Sequence, residues 1–385
     1  MKFYYLAPLY LFSLWDYYIP LLGGRVFDYI GIVLIFTYLV FKFVKIENFG
    51  ALRFNRVHAL VMMAIFPSVM VAYFQGEWLA ATAFLVGSLF VYGFFSSASY
   101  SLDKLHNQIG WLIFIELLFF FFQYAAFTLF GSVVDYHSYF GALNPRIFNE
   151  ETGYFRAAGL FQEPNSFCLM LFMLNILHIF SRNGKSDMLL FSSLVAMFLS
   201  ESLWGFGAIL ILLMVRAGLF SLNGVWLPLL LSVTGLASFV LVVFMSSPSL
   251  FATIVNPITV ARIFDIGNDP SFKARFVGDT DVVLDGHLLV GNGLSTEFFQ
   301  SFLGANAISF YIYSFGILGL LLFLGWIMAT TKKGRLEIAV IILFAMTSYP
   351  LFTYVFWWAW LSILIQSRKI RYESVFFQND LRMGK

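Results

Sequence analysis

The sequence predicts an all-α bundle of membrane-crossing helices, and three observations carry the prediction. The chain of 385 residues is 60% hydrophobic, 20% aromatic and only 11% charged. Its apolar runs recur from end to end, and most approach the roughly 20 residues that cross a hydrocarbon core about 30 Å thick. Backbone at that depth must bond within its own segment, which selects helices. Third, Lys and Arg gather in short clusters between the apolar runs, not along one face. The formal net charge of +2 gives no basis for a nucleic-acid partner. A single cysteine, Cys168, excludes an intrachain disulfide and reads as a small packing residue.

About twelve spans follow in order, in a single integral membrane domain over residues 1–385. They lie near Phe3–Leu22, Phe27–Val44, Val57–Phe74, Trp78–Phe95, Ile109–Phe130 and Leu160–Phe180. The second half places them near Met188–Ser200, Leu203–Leu219, Val225–Met245, Ala305–Met328, Leu336–Pro350 and Phe352–Ile365. The first run contains Asp16 and lacks a small-residue cleavage signal before Arg25, so it reads as a retained span. The short pairs meeting at Glu201 and at Tyr349-Pro350 could be re-entrant or fused segments.

Cytoplasmic loops collect positive charge, which tests the orientation independently. With the amino terminus inside, the inside loops hold Lys42, Lys45, Arg53 and Arg56, then Lys104, then Arg182 and Lys185, then Arg216, then Lys332, Lys333 and Arg335. A basic tail over about 366–385 completes the series. Both termini are therefore expected in the cytoplasm. The same parity puts two long loops outside, over about 131–159 and 246–304. Loops of that length in a compact protein are commonly functional. The second is acidic overall yet carries Arg262 and Arg275, against the tendency of outside loops to shed positive charge.

The candidate site centres on Arg156-x-x-Gly159-x-x-x-Glu163-Pro164-Asn165, at the mouth of the sixth apolar run. Charge beside hydrocarbon is costly, so such a cluster is a site hypothesis by default. Arg156 and Arg275 offer planar forks suited to bidentate phosphate contact, which suggests an anionic ligand. Each could instead pair with a loop carboxylate such as Glu150, Glu151 or Asp279, or snorkel to lipid headgroups. Pro164 suits the first turn of a helix, with an acidic residue complementing the dipole. If the helix began near Gly159, Pro164 would break it and free carbonyls at membrane depth. Glu163, desolvated there, is a candidate proton acceptor, or a structural cap salt-bridged to Arg156.

This pattern resembles the Arg-x-x-Gly-x-x-x-(Asp/Glu)-Pro-Asn signature of the O-antigen polymerase and O-antigen ligase superfamily. Asp269-x-Ser271-x-x-x-Arg275, followed by Gly291-Asn292-Gly293, is similar to that family's external-loop Arg and trailing Gly-x-Gly. Asn306 with Gly316-Ile317-Leu318-Gly319 resembles the opening of its next span. The resemblance covers about Phe155 to Leu322. It implies a GT-C-like bundle in the bacterial inner membrane that joins undecaprenyl-diphosphate-linked oligosaccharides, as donor and acceptor, at the periplasmic face. A chain-length regulator is an implied partner beside the membrane lipids. Neither cofactor nor metal is implied.

Under that resemblance Glu163, Arg156 and Arg275 are the catalytic candidates. Asn165, Gly159, Arg262, Gly291, Gly293 and Asn306 are the substrate-binding candidates. Two departures matter. Ala305 stands where many members, ligases above all, carry His before the Asn, which favours polymerase over ligase and leaves Glu163, or less favourably His287, as the base. Ser202 is followed by Leu203, where the family often has Ser-Arg. Outside the motifs, Asp16 and Glu116 are intramembrane carboxylates that could line a path or be neutral structural groups. Asn175 and His178 share a helix side, with a satisfied core histidine the better reading. His58, His106, His137 and His287 lack partners at ligand spacing, so no metal site is predicted. Trp357, Trp358 and Trp360 read as packing or belt aromatics. From another functional class, a transporter or flippase would need polar groups spread through the spans and matching breaks in the two halves.

Overall fold

The computed structural model describes residues 18–19, 24–25, 30–37, 56–74, 76, 78–97, 101–136, 147–149, 154–181, 188–217, 288–294, 306–331, 335–348 and 355–367. Within them the chain is mostly helical, with two-residue strand pairs and irregular stretches at 131–136, 156–163 and 288–294. β1 (Tyr18–Ile19) pairs antiparallel with β2 (Gly24–Arg25), so within the run predicted as a first span to Leu22 the backbone at Tyr18 and Ile19 is extended and bonded across strands. The helices follow as α1 (30–37), α2 (Arg56–Phe74), α3 (Trp78–Leu85) and α4 (Tyr92–Ser97), the last two joined by a π-helical turn over Val86–Val91. Then come α5 (Leu102–Phe130), β3 (Phe148–Asn149), β4 (Tyr154–Phe155), α6 (Pro164–Ser181), α7 (Met188–Leu199) and α8 (Leu203–Arg216). The carboxy-terminal group is α9 (Ala307–Thr330), α10 (Arg335–Met346) and α11 (Val355–Ser367).

Three of these, α5, α6 and α9, are long and apolar enough to cross a membrane. At 1.5 Å per residue, α5 extends roughly 43 Å. It begins seven residues ahead of the predicted Ile109, because Ser101 caps it through the Lys104 amide and its first turns are polar. One of its faces is exposed at Trp111, Phe114, Leu118 and Phe122, which suits lipid. The other face, from Leu105 through Ile109, Ile113 and Phe120, is buried. α7 and α8 have 12 and 14 residues and are individually too short for a full crossing.

α6 is the central helix. A helix apolar on all sides belongs in an interior, and α6 is buried from Phe167 through Phe180. Phe120 of α5 stacks on Phe167 at 4.6 Å between ring centroids. On the opposite side Phe172 meets Trp204 of α8 and Phe344 of α10 at 5.6 and 5.3 Å. α11 closes the core: Trp357, Trp358 and Trp360 have no exposed surface, which decides for packing over a belt position. The Trp360 indole donates to the Met173 carbonyl of α6 at 2.8 Å, and Gln366 donates to the Phe95 carbonyl of α4 at 2.9 Å.

Of the second long loop, residues 288–294 are described, and they meet α9. α9 is broken at Gly316, whose backbone (φ 69, ψ 176) is closed to residues with a side chain. Residues 288–293 lie against the break: the amides of Asn292 and Gly293 donate to the Tyr313 and Ser314 carbonyls at 2.7 and 3.1 Å. In return, the amides of Ile317 and Leu318 donate to the Leu288 and Leu289 carbonyls at 2.9 and 3.2 Å. A side chain at Gly316 would collide with the Leu289 carbonyl and Val290 amide. Because Gly316 lies ten residues past the cap at Asn306, this stretch sits roughly 15 Å along the helix. Residues 288–293 thus supply partners to the backbone groups that the break leaves without helical bonds.

Candidate functional site

The polar motif assembles at the end of the bundle where α5 and α7 finish and α6 and α8 begin. Helix α6 starts at Pro164, with Glu163 as its cap: the Glu163 carbonyl accepts the Phe167 amide at 3.2 Å. Pro164 thus takes the first helical position, where a missing N–H costs nothing, and the helix does not begin near the predicted Leu160. Upstream, β4 pairs with β3, and the Arg156 amide continues the ladder to the Ile147 carbonyl at 2.8 Å. Phe155 stacks on Phe127 of α5 at 4.1 Å, which pins the strand to the helix end.

Gln123 organises the intervening turn. Its buried side-chain oxygen accepts the amides of both Ala158 and Gly159, at 2.7 and 2.9 Å, while its nitrogen donates to the Val134 carbonyl at 2.7 Å. One side chain on α5 thereby ties both the segment leaving α5 and the segment approaching α6. Gly159 has φ 57, and a side chain there would press on the backbone of Phe120. Tyr136 adds a further tie, donating to the Phe119 carbonyl at 3.3 Å, and desolvation pushes its phenol up to about 12.

Asn165, a substrate-binding candidate, joins three chain segments: its nitrogen donates to Ser348 Oγ at 3.1 Å, and its oxygen accepts Ser202 Oγ at 3.4 Å. Ser202 caps α8 through the Gly205 amide, and Ser200 Oγ lies 3.0 Å from Cys168 Sγ. Beside this knot Trp204 donates to Thr347 at 3.1 Å. Asn306 likewise has a structural post, capping α9 through the Ser309 amide at 2.8 Å. Gly291 and Gly293 hold the strand beside the α9 break, since a side chain at Gly291 would strike Ser314. Two motifs that resemble separate parts of one family's pattern, Gly291-Asn292-Gly293 and Gly316-x-x-Gly319, thus meet in one backbone contact.

Arg156 is half-buried, 5.6 Å from the centroid of the Tyr154 ring and within electrostatic reach of Cys168. The Tyr154 hydroxyl donates to Glu201 Oε2 at 2.7 Å. Glu201 follows α7 in the turn before Ser202, with φ 52, the left-handed conformation that glycine usually fills after a helix. Arg156, Tyr154, Glu201 and the cap Glu163 therefore belong to one polar end. Arg262, Arg275, Asp16, His137, His287 and Ala305 lie outside the described residues. Sequence reasoning missed Gln123, Tyr154 and Glu201. Gln123 had the signal of a polar residue inside an apolar run, and Glu201 that of a charge between two short ones.

At the far end of α5 and α6, His106 and His178 stack at 3.8 Å, and His106 Nδ1 lies 3.1 Å from Ser181 Oγ. His178 is buried in this packing, and His106 has in it a neighbour that sequence spacing did not announce. Glu116 is buried at the α5 level just below Gly159.

The chain is a helical membrane protein in which, among the described residues, the motif residues Arg156, Gly159, Glu163 and Asn165 lie at one end of a central buried helix. No family model, no curated protein and no solved structure matches it.

Proposed function

We propose that the protein is an O-antigen or related surface-polysaccharide polymerase of the bacterial inner membrane. It is multi-pass, with both termini cytoplasmic, and joins undecaprenyl-diphosphate-linked oligosaccharides at the periplasmic face. The observation that carries this reading is the start of α6, which Glu163 caps and Pro164 opens, with half-buried Arg156 on the segment that leads into it. Arg156, with Arg275 from the second loop, neutralises the donor diphosphate as it leaves the anomeric carbon. The α6 amides add positive potential at the same end. Glu163 takes the proton of the acceptor hydroxyl, which attacks from the opposite face and inverts the anomeric centre. The guanidinium groups supply the charge that a metal ion would otherwise bring.

The test is a strain lacking its own copy, complemented with Arg156→Ala, and a gel of its surface polysaccharide. Loss of the ladder at normal expression is the expected result, and a parental ladder removes the assigned role. Glu163→Gln is assayed on purified donor, where unchanged turnover excludes Glu163 as base. The family resemblance also keeps a ligase reading in view. Continued lengthening of lipid-linked chains in the deletion strain, with attachment alone lost, would favour that alternative. Accumulation of lipid-linked repeat units on the cytoplasmic side would point to a flippase.

A further inference from the structure

We infer that Glu201 and Tyr154 are positioning residues for Arg156, setting where its charge sits; the inference rests on the polymerase reading. The Tyr154 ring is located from two directions. Its backbone is held by the β3–β4 pairing, and its hydroxyl by Glu201 Oε2 at 2.7 Å. The Arg156 guanidinium carbon lies 5.6 Å from the ring centroid, so fixing the ring fixes the cation. Donation of the phenol proton toward a carboxylate enriches the ring electronically, which strengthens its hold on a cation.

Glu201 is also the wrong residue for its backbone. At φ 52 the position after α7 suits glycine, and a glutamate is held there by its surroundings. A sequence selected for stability alone would place Gly or Asn at this point. The carboxylate supplies what neither can: a reach from the α7–α8 turn to the hydroxyl of Tyr154. The turn that aims it is the same one that Asn165 fastens through Ser202, so the motif's Asn and its Arg are linked through residues 200–202.

The experiment uses the purified full chain and lipid-linked oligosaccharide extracted from a strain lacking the polymerase, with initial rates measured against donor concentration. Tyr154→Phe and Glu201→Gly are each expected to lower kcat about 10-fold with little change in KM, because misplacing a charge weakens transition-state stabilisation. The double variant is expected to be no slower than the worse single one, since both cut the same chain of contacts. Glu201→Gln, which keeps an acceptor oxygen, is expected to retain most of the rate. In Glu201→Gly the relief of the left-handed turn offsets the lost bond to Tyr154, so its melting temperature should stay close to the parental one. Parental kcat in Tyr154→Phe or Glu201→Gly, or additive losses in the double variant, would overturn the inference. In those cases an inactive Arg156→Ala leaves the polymerase reading intact. A fully active Arg156→Ala overturns both. If Glu201→Gly fails to fold, Tyr154→Phe decides alone.

Discussion

Gln123 and Gly159, thirty-six residues apart, are joined by a 2.9 Å hydrogen bond that holds the polar motif on the end of α5. The same oxygen accepts Ala158, and the same side chain's nitrogen reaches Val134. Replacing Gln123 with Leu leaves two buried amides and a carbonyl without it, at about 1–3 kcal/mol for each unsatisfied group. The expected outcome is a marked fall in thermal midpoint of the detergent-solubilised protein. Gln123→Glu, which keeps the acceptor and loses the donor, should fall less. Equal melting of Gln123→Leu and parent would remove this clamp from the account.

Asn165 and Ser348 make the longest-range tie at this end, 183 residues apart in sequence. Asn165→Ala is expected to cost about 2 kcal/mol, because the buried hydroxyls of Ser202 and Ser348 lose a shared partner. Ser348→Ala should cost less. The double variant should fall short of the sum by about 0.5 kcal/mol or more, as contacting pairs do. Strict additivity in denaturation of the purified protein would show that the two side chains act separately.

The break in α9 separates two glycines by their surroundings. Gly316→Ala is expected to destabilise by about 3 kcal/mol or more, since it combines a forbidden backbone region with a collision against the Leu289 carbonyl. Gly325→Ala, on the same helix with open space around the added carbon, should be neutral or slightly stabilising. Comparable melting temperatures for the two variants would contradict the geometry.

Tyr136 gives a pH dependence. Its phenol is raised from 10.0 to about 12, so the folded state holds the proton that the unfolded chain releases first. The contribution is complete below pH 10 and is lost as pH rises through about 12. An ultraviolet difference titration should reveal one tyrosine ionising near 12 that is missing from Tyr136→Phe. Identical titration curves for the two proteins would refute the tie between residues 131–136 and α5.

Helix starts were legible in part. Leu203 begins α8 where the span was placed, capped by Ser202, and Pro164 opens α6 as its place in a first turn suggested, four residues after the predicted Leu160. The α5 start was misread because its first turn holds Asp103 and Lys104, which lower hydropathy without breaking a helix. What the sequence hid are contacts between distant segments. Nothing around Leu289 announces that its carbonyl will satisfy the amide of Leu318, and nothing near Tyr154 announces Glu201. Asn165 drew attention as part of a polar cluster at a membrane entry and Asn306 by resemblance, and neither signal told of the hydrogen bonds the two make. The fold class came from solvent physics acting on every residue, while the site depends on a few pairings that leave no periodic trace.

The break at Gly316 bears on the order of assembly. Asn292 and Tyr313 emerge from the ribosome close together, so the interrupted helix can find its missing hydrogen-bond partners as soon as it is made. The knot of Asn165 with Ser348 has to wait until nearly the whole chain is in the membrane. The two contacts thus form at different times, the glycine contact early and locally. A chain truncated before residue 348 would already own its broken helix while still lacking the fastening that brings α6, α8 and α10 together.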